Sequence, residues 1–385
     1  MDFSITDEQQ QFADTFEKFC QERIAPRSTA TDQAGELNKQ NWADLKEMGF
    51  FGLTLPEALG GSAADWVMRS MAEESLAKAC ASTFLSAGAS VGLCGGPIEH
   101  FGTDAQKERW LKGLGSGDLI GCFGLTEPGV GSDVVNIKTR ARRVGSSADG
   151  GWVLSGEKAL ITNAPIADVA TVMAVTDPEA SYGGVTTFIV DLSKEGVTRS
   201  APYRKMGLRG SPTGGLMFED VKLSDDDVVG EVGQGFVQAM MTLEHGRIGM
   251  ASFGIGIAEA AMVEAMKYSN ERTAFGKPIS RFQAVHFKIA DMKVDIDAAR
   301  LMARRVAWMK STGAECRELA SIAKLFATEV AVRVTDAAVQ IHGGWGYTDD
   351  FIVERLYRDA RLGPIGEGTS EIQRELIARS ILDGD

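Results

Sequence analysis

Histidine is scarce in this chain. There are four in 385 residues (His100, His245, His286 and His342), and they stand far apart. No HExxH or similar spacing joins any two, so a catalytic or structural metal is not expected. The five cysteines (Cys20, Cys80, Cys94, Cys122, Cys316) are scattered and odd in number, with no CxxC. They are expected as small buried thiols, not as zinc ligands or a disulfide framework. Basic residues are outnumbered 40 to 53, the net charge is −13, and no long basic stripe exists. That argues against a nucleic-acid backbone as the main partner, while a small anionic ligand needs only a few local arginines. No apolar run is read as long enough to cross a bilayer, and the opening MDFSITDEQQ lacks the basic and apolar regions of a secretory leader. A cytoplasmic chain without membrane insertion is the expectation. A GxSxG elbow is also missing. Gly254-Ile255-Gly256 lies inside a helical pattern instead of following a strand, so no Rossmann-type phosphate loop is expected.

What is present has an ordinary globular balance, 44% hydrophobic and 24% charged, in a chain long enough for two or three packed units. Residues 1–120 read mostly helical: Phe12, Phe16 and Phe19 recur at helical spacing, with breaks near Pro56 and Gly60–Gly61. Residues 121–233 carry short β-prone runs at 152–154, 169–175, 185–190, 216–218 and 228–229, with Gly, Asp, Pro and Ser between them. No long helical period intervenes, which predicts an antiparallel, barrel-like β domain over βαβ units. Residues 234–385 turn helical again. Val285, Ile289, Met292, Ile296, Ala299, Met302, Val306 and Met309 step by three and four as a bundle seam does. Runs at 236–269, 281–311, 315–341 and 350–380 predict a four-helix bundle. The fold expected is therefore α+β and multidomain, in the order helical, β, helical.

Two segments invite a chemical reading. Leu125-Thr126-Glu127-Pro128-Gly129-Val130-Gly131-Ser132-Asp133 is a hydroxyl- and glycine-rich turn leaving a β-prone run, able to present backbone N–H groups to a ring edge or a thioester. It could equally be an ordinary loop. Gly363-Pro364-Ile365-Gly366-Glu367-Gly368-Thr369-Ser370 sets one Glu between glycines, just before a helical run at 371–379. Glu367 is either a solvated helix N-terminal carboxylate or a carboxylate presented on an open turn to a ligand, and spacing alone leaves both open.

Taken together, LTEPGVGSD at 125–133, GEKALITNAPIAD at 156–168, ERTAFGKPISRFQ at 271–283, AVQIHGGWGY at 338–347 and IGEGTSEIQRELIAR at 365–379 resemble the acyl-CoA dehydrogenase family, in the family's order and over essentially the whole chain. The resemblance implies FAD, held where the β and α domains meet, and a homotetramer built as a dimer of dimers. It implies α,β-dehydrogenation of an acyl-CoA in fatty acid or organic acid metabolism, with an electron-transfer flavoprotein as acceptor. A carboxylate removes the α-proton, flavin N5 takes the β-hydride, and hydrogen bonds to the thioester carbonyl stabilise the enolate.

Position by position, the resemblance makes Glu367 the base and lets Gly368 admit the thioester. Phe123, Leu125, Thr126 and Thr162 match positions lining the flavin, and Ser132 one touching both FAD and the CoA arm. Arg272, Phe275 and Gln283 match residues reaching a neighbouring subunit's FAD. Gln340, Gly343 and Gly344 match the adenosine and pyrophosphate cradle. Thr369 and Glu371 match positions closing over the cofactor, and Glu244 and Arg247 positions contacting the CoA portion. The family's alternative base position is Gly246 here, leaving Glu367 as the candidate. Three departures stand out: Leu160 where an aromatic often stacks on the flavin, Gly366 where the family usually has Tyr, and Phe84 where glutaryl-type enzymes have Arg. Gly366 opens room for branched, cyclic or bulky acyl groups, and Phe84 argues against an Arg-held dicarboxylate. The 163–168 run also resembles prolyl-carrier-protein dehydrogenases, so a carrier-tethered acyl or aminoacyl substrate is the alternative. A catalytically silent flavin-binding protein is the non-enzymatic one.

Overall fold

A computed structural model describes residues 5–145 and 150–383. The first unit is helical: α1 Asp7–Phe19, α2 Ser28–Ala34, α3 Lys39–Glu47, α4 Trp66–Gly88, α5 Gly95–Phe101, α6 Asp104–Gln106 and α7 Lys112–Ser116. α1 opens on a reciprocal cap between Thr6 and Gln9. Its Phe16 is buried against Phe12, Phe19 and Phe50, each ring within 6 Å. Asp65 caps α4, which bends at Cys80, where φ −157° and ψ 96° leave the helical region.

The middle unit is one seven-stranded sheet: β1 Gly121–Gly124, β2 Arg140–Val144, β3 Gly151–Thr162, β4 Val169–Val175, β5 Val185–Asp191, β6 Val197–Arg199 and β7 Thr213–Ser224. The strand order is β1-β4-β2-β3-β7-β6, with β5 on β4. Most pairings are antiparallel as expected, but β1 and β2 each pair with β4 in parallel. The chain reaches β4 only after the β2–β3 hairpin, and that long connection is what a parallel pair requires. The short runs predicted at 152–154 and 216–218 lie within two twelve-residue strands. Register shifts at Leu154/Gly156 and Lys158/Ile161 interrupt their alternation and hid their length. The run at 228–229 is no strand. Val228 makes one isolated bridge, to Phe188.

The last unit holds α8 Gly235–Glu271, α9 Gln283–Ser311, α10 Arg317–His342, α11 Val353–Ala360 and α12 Ser370–Asp383, with the small hairpin β8 Thr273–Ala274 and β9 Lys277–Pro278 between α8 and α9. The first three runs lie where the sequence placed them. The fourth, expected as one helix over 350–380, is two helices parted by a turn at 361–369 that holds Pro364 and three glycines.

Gly254 and Gly256 serve close packing instead of phosphate binding. A Cβ at Gly254 would lie 2.6 Å from the Ala327 carbonyl of α10, and one at Gly256 would lie 2.8 Å from the Lys78 nitrogen of α4. α8 is thus pressed between α4 and α10, and Arg304 of α9 adds a 2.8 Å ion pair to Glu74 of α4. One expectation needs correction. The stretches Trp66–Phe101 and Gly235–Glu271 are, by length and composition, apolar enough to cross a bilayer. Their apolar windows are 72% and 78% buried within the protein, so the core consumes that surface.

Candidate active site

The turn between α11 and α12 holds Glu367 at φ +52°, followed by Gly368 at φ +92°. A non-glycine residue in this left-handed region costs about 1–2 kcal/mol and persists only where its surroundings hold it. Three sets of bonds do so. The backbone N–H of Ser370 donates to the Pro364 carbonyl at 2.9 Å, and that of Gly366 to Leu362 at 2.8 Å. The Lys324 Nζ, from α10, donates to the Gly368 carbonyl at 2.7 Å. The Gln373 side-chain amide, from α12, donates to the Gly368 carbonyl at 3.2 Å and the Glu367 carbonyl at 3.4 Å. Lys324 and Gln373 are fully buried.

The Glu367 side chain enters the protein against α8 at Gly246. Its Oε2 occupies the place where a side chain at 246 would begin, with Leu93 Cδ2 3.3 Å from that point. Oε2 is buried and has no hydrogen-bond partner among the described residues. Burial pushes the carboxyl up to about 7; Lys324, Arg247 and Arg69 oppose that and Glu73 adds to it. Burial in turn brings the Lys324 ammonium down to about 8, with Glu367 opposing. The result is a carboxylate desolvated enough to be basic near neutral pH and unencumbered by a donor. Of the two readings of Glu367, the solvated helix N-terminal carboxylate does not fit: its Oε2 is buried, not in solvent.

Arg247 lies buried close to Glu367, its Nε without a partner among the described residues, and Glu244 pairs with Arg317 at 3.4 Å. Gly368 sits in the turn itself, Thr369 accepts from the Ile372 N–H at 3.3 Å, and Glu371 is exposed on the first turn of α12. On the sheet side, Phe123 and Leu125 pack in a cluster with Met173 and Val185 that also receives Leu93 and Leu243 from the helices. Because Leu93 reaches Gly246, this cluster joins the sheet to the Glu367 side chain. Leu160, at φ +59° in the β3 bulge, turns outward and is 67% exposed. Thr162 ends β3 opposite Thr213, the Thr126 carbonyl accepts from Ala159 N–H at 3.0 Å, and Ser132 is exposed in the following loop.

A second cleft, of about 570 Å³, lies at the other end of α8 and is lined by Tyr268, Arg272, Ile279, Gly343, Gly344 and Trp345 among others. Gln340 is exposed close by, as are Phe275 and Gln283 around the β8–β9 hairpin. Nothing lies within 4 Å of a Cβ built on Gly343 or Gly344, so their backbone faces open space. Along α8, Gly246 and Tyr268 are separated by roughly 33 Å at 1.5 Å per residue. The candidate residues therefore fall into two groups at opposite ends of one long helix.

Sequence reading missed Lys324, Gln373, Glu73 and Arg69. Lys324 did leave a signal, as a lone lysine on the buried face of α10 among Ala320, Ala323, Ala327 and Thr328. It also missed the buried pair that ties the 125–133 segment to β3. Lys158 Nζ meets Glu127 Oε1 at 2.8 Å with both side chains buried, and Glu127 accepts the Lys138 and Thr139 N–H groups at 2.6 and 2.9 Å. Burial lowers the Lys158 ammonium to about 8 against the pull of Glu127. Glu127→Leu leaves that ammonium buried and unpaired, and is expected to cost about 3–5 kcal/mol in urea unfolding. Adding Lys158→Met should recover most of the loss. Equal stability of the single variant and the wild type would show that the pair does not hold the loop.

The chain runs in the order helical, sheet, helical, with a near-neutral carboxylate, able to take a proton, held on a strained turn. The comparisons agree. Residues 6–118, 122–221 and 233–382 match the N-terminal, middle and C-terminal domains of acyl-CoA dehydrogenases. A probable acyl-CoA dehydrogenase of Bacillus subtilis (strain 168), YngJ, is 43% identical over 99% of this chain and all of its own. Butyryl-CoA dehydrogenase from Megasphaera elsdenii superposes with a TM-score of 0.95 at 41% identity, covering 99% of this chain and 100% of that one. A chain solved in work on the electron transferring flavoprotein of Acidaminococcus fermentans superposes with a TM-score of 0.96 at 39% identity, over 99% and 100%. This chain belongs to the acyl-CoA dehydrogenase family, whose members depend on FAD.

Proposed function

We propose that the protein is an FAD-dependent dehydrogenase of acyl-CoA thioesters, forming the 2-enoyl-CoA with Glu367 as base. The observation that carries this is the unpartnered, buried Oε2 of Glu367, set by a left-handed turn against the bare backbone of Gly246. The Glu367 N–H donates to no acceptor among the described residues, so it is free to bond a thioester carbonyl as the carboxylate takes the α-proton. The residues present fit FAD: open backbone at Gly343 and Gly344, an outward Leu160, and the hydroxyl-bearing edge at Thr126, Ser132 and Thr162. When bound, FAD supplies the acceptor for the β-hydride. Arg247 adds positive charge beside the base, and Thr369 and Glu371 stand at the start of α12 next to it.

The two groups of cofactor candidates lie too far apart on one chain to meet on the same FAD. A second copy that brings its Arg272, Phe275, Gln283, Gln340, Gly343 and Gly344 to this chain's flavin residues resolves the separation. α9 supports such an assembly, because Phe287, Val294, Leu301 and Trp308, seven residues apart, form an exposed apolar stripe. A homotetramer, in which 1–120, 121–233 and 234–385 act as three units, belongs to the same proposal, as do a cytoplasmic location and an electron-transfer flavoprotein as acceptor. The likeness to the chain from Acidaminococcus fermentans supports that acceptor.

The 163–168 run, from which the carrier-protein alternative was read, has a structural part. Asn163 is buried and its Nδ2 donates to the Ser86 and Gly121 carbonyls at 2.8 and 3.0 Å, while Asp168 Oδ2 accepts from Ile120 N–H at 2.8 Å. The 163–168 run thus holds the sheet to the helices. Gly366 places no ring beside the base, and a Cβ there would have 3.5 Å to Leu362, which favours room for substituted acyl groups. Anaerobic titration with acyl-CoAs of varied length is the test. Bleaching of a yellow protein with one FAD per chain, sedimenting as a tetramer, is expected. A protein that binds no FAD, or whose flavin no acyl-CoA reduces, overturns the proposal.

A further inference from the structure

One turn beyond Gly246 on α8 stands a second glycine, Gly249. A Cβ there would meet both carboxylate oxygens of Glu73 at 3.5 Å. Glu73 comes from α4, is 4% exposed, and its Oε2 has no partner among the described residues. Its Oε1 accepts from Arg69 Nε at 2.9 Å, and Arg69 Nη1 donates to Thr54 Oγ1 at 3.2 Å. The guanidinium lies over Trp66, 4.7 Å from the ring centre. Its Nη2 has no hydrogen-bond acceptor among the described residues and stands 3.1 Å from where a Cβ of Gly92 would be. Leu93, the next residue, is the one that reaches Gly246. The ion pair therefore lies between α8 and the π-helical segment Ala89–Cys94, one helical turn from the base, where an acyl chain would extend beyond its reacting carbons.

A buried pair of this kind is costly unless every polar atom finds a partner. Here each member keeps one position open, a donor on Arg69 and an acceptor on Glu73. A bare alkyl end leaves both unpaired. A carboxylate faces Glu73 and an ammonium faces Arg69, each like charge against like. A hydroxyl satisfies both, accepting from Nη2 and donating to Oε2.

We propose, on the strength of the dehydrogenase reading above, that the Arg69–Glu73 pair closes the acyl end of the site and selects a short acyl thioester bearing a hydroxyl near its far end. One turn of α8 from Gly246 to Gly249 rises about 4.5 Å, on the order of three to four bonds from the α-carbon to the hydroxyl oxygen, the C–O bond included. That puts the hydroxyl on the fourth or fifth acyl carbon.

The test is single-turnover flavin reduction by the FAD-loaded protein under anaerobic conditions, with butyryl-CoA, pentanoyl-CoA and their terminally hydroxylated forms. The better hydroxylated substrate is expected to exceed its unsubstituted partner at least tenfold in the ratio of reduction rate to dissociation constant. Arg69→Met with Glu73→Leu removes both charges together, and should abolish that preference by weakening the hydroxylated substrate and improving the plain one. Gly92→Ala crowds Nη2 without touching either charge, and should reduce the preference if the double variant fails to fold. Wild type that prefers the plain chain, or a preference unchanged in these variants, overturns the inference and leaves the dehydrogenase reading standing. A flavin that no acyl-CoA reduces overturns the reading itself.

Discussion

Glu367→Gln should give a yellow protein that still binds acyl-CoA but whose flavin is reduced more slowly by on the order of 10⁴-fold, the upper end of what a positioned base contributes. The fold has little reason to suffer. Oε2 accepts no hydrogen bond among the described residues, so the near-isosteric amide breaks none there. No other carboxylate is placed to take over: Glu73 is tied to Arg69 and faces Gly249, a turn further along α8. Because burial brings Glu367 to about 7, the wild-type rate should rise with pH through that value and level off above it, as the base loses its proton. Stopped-flow reduction with the best acyl-CoA measures both effects, and a variant rate within a few-fold of wild type would remove Glu367 from the role. The contact at Gly246 adds a rescue. A carboxylate there starts from the point Glu367 Oε2 now fills, so Gly246→Glu on a Glu367→Gly background should recover part of the rate.

The gross order of the chain was legible because periodicity changes twice along it, from helical to alternating and back. The failures have local causes. The fourth helical run, read as one helix over 350–380, was carried straight across 361–369, the turn that matters most. Only Pro364 and the glycines marked it. In β3 the bulge at Lys158/Ile161 sends Lys158 inward and Leu160 outward, which alternation alone cannot anticipate. The base was readable as a residue flanked by glycines but not as a buried one. Its burial comes from α8 and α10, more than a hundred and about forty residues away in the chain. The charges that tune it, Lys324, Arg247, Arg69 and Glu73, are brought to it by α10, α8 and α4, and no single stretch of sequence contains them.

Lys324→Met should do less damage than that, by a different route, and the route can be distinguished. Lys324 is a positioning residue: its Nζ holds the Gly368 carbonyl at 2.7 Å and so fixes the turn on which Glu367 sits at positive φ. Gln373 still reaches that carbonyl at 3.2 Å, so the turn loosens without being released. A displacement near 1 Å at the reacting group is worth about 10²-fold in rate. The ammonium also draws Glu367 down against burial. Without it the carboxyl moves above 7, more of the base is protonated at neutral pH, and the rising limb of the rate profile shifts to higher pH. The expected result is a loss of about 10²-fold at pH 7 that shrinks as pH rises, with KM little changed. Lys324→Arg keeps the charge, so its limb should stay near the wild-type position even where altered reach lowers the plateau. A methionine variant with the wild-type limb and only a lower plateau would leave Lys324 as a packing residue. One with wild-type rates throughout would show that Gln373 and the backbone bonds hold the turn unaided.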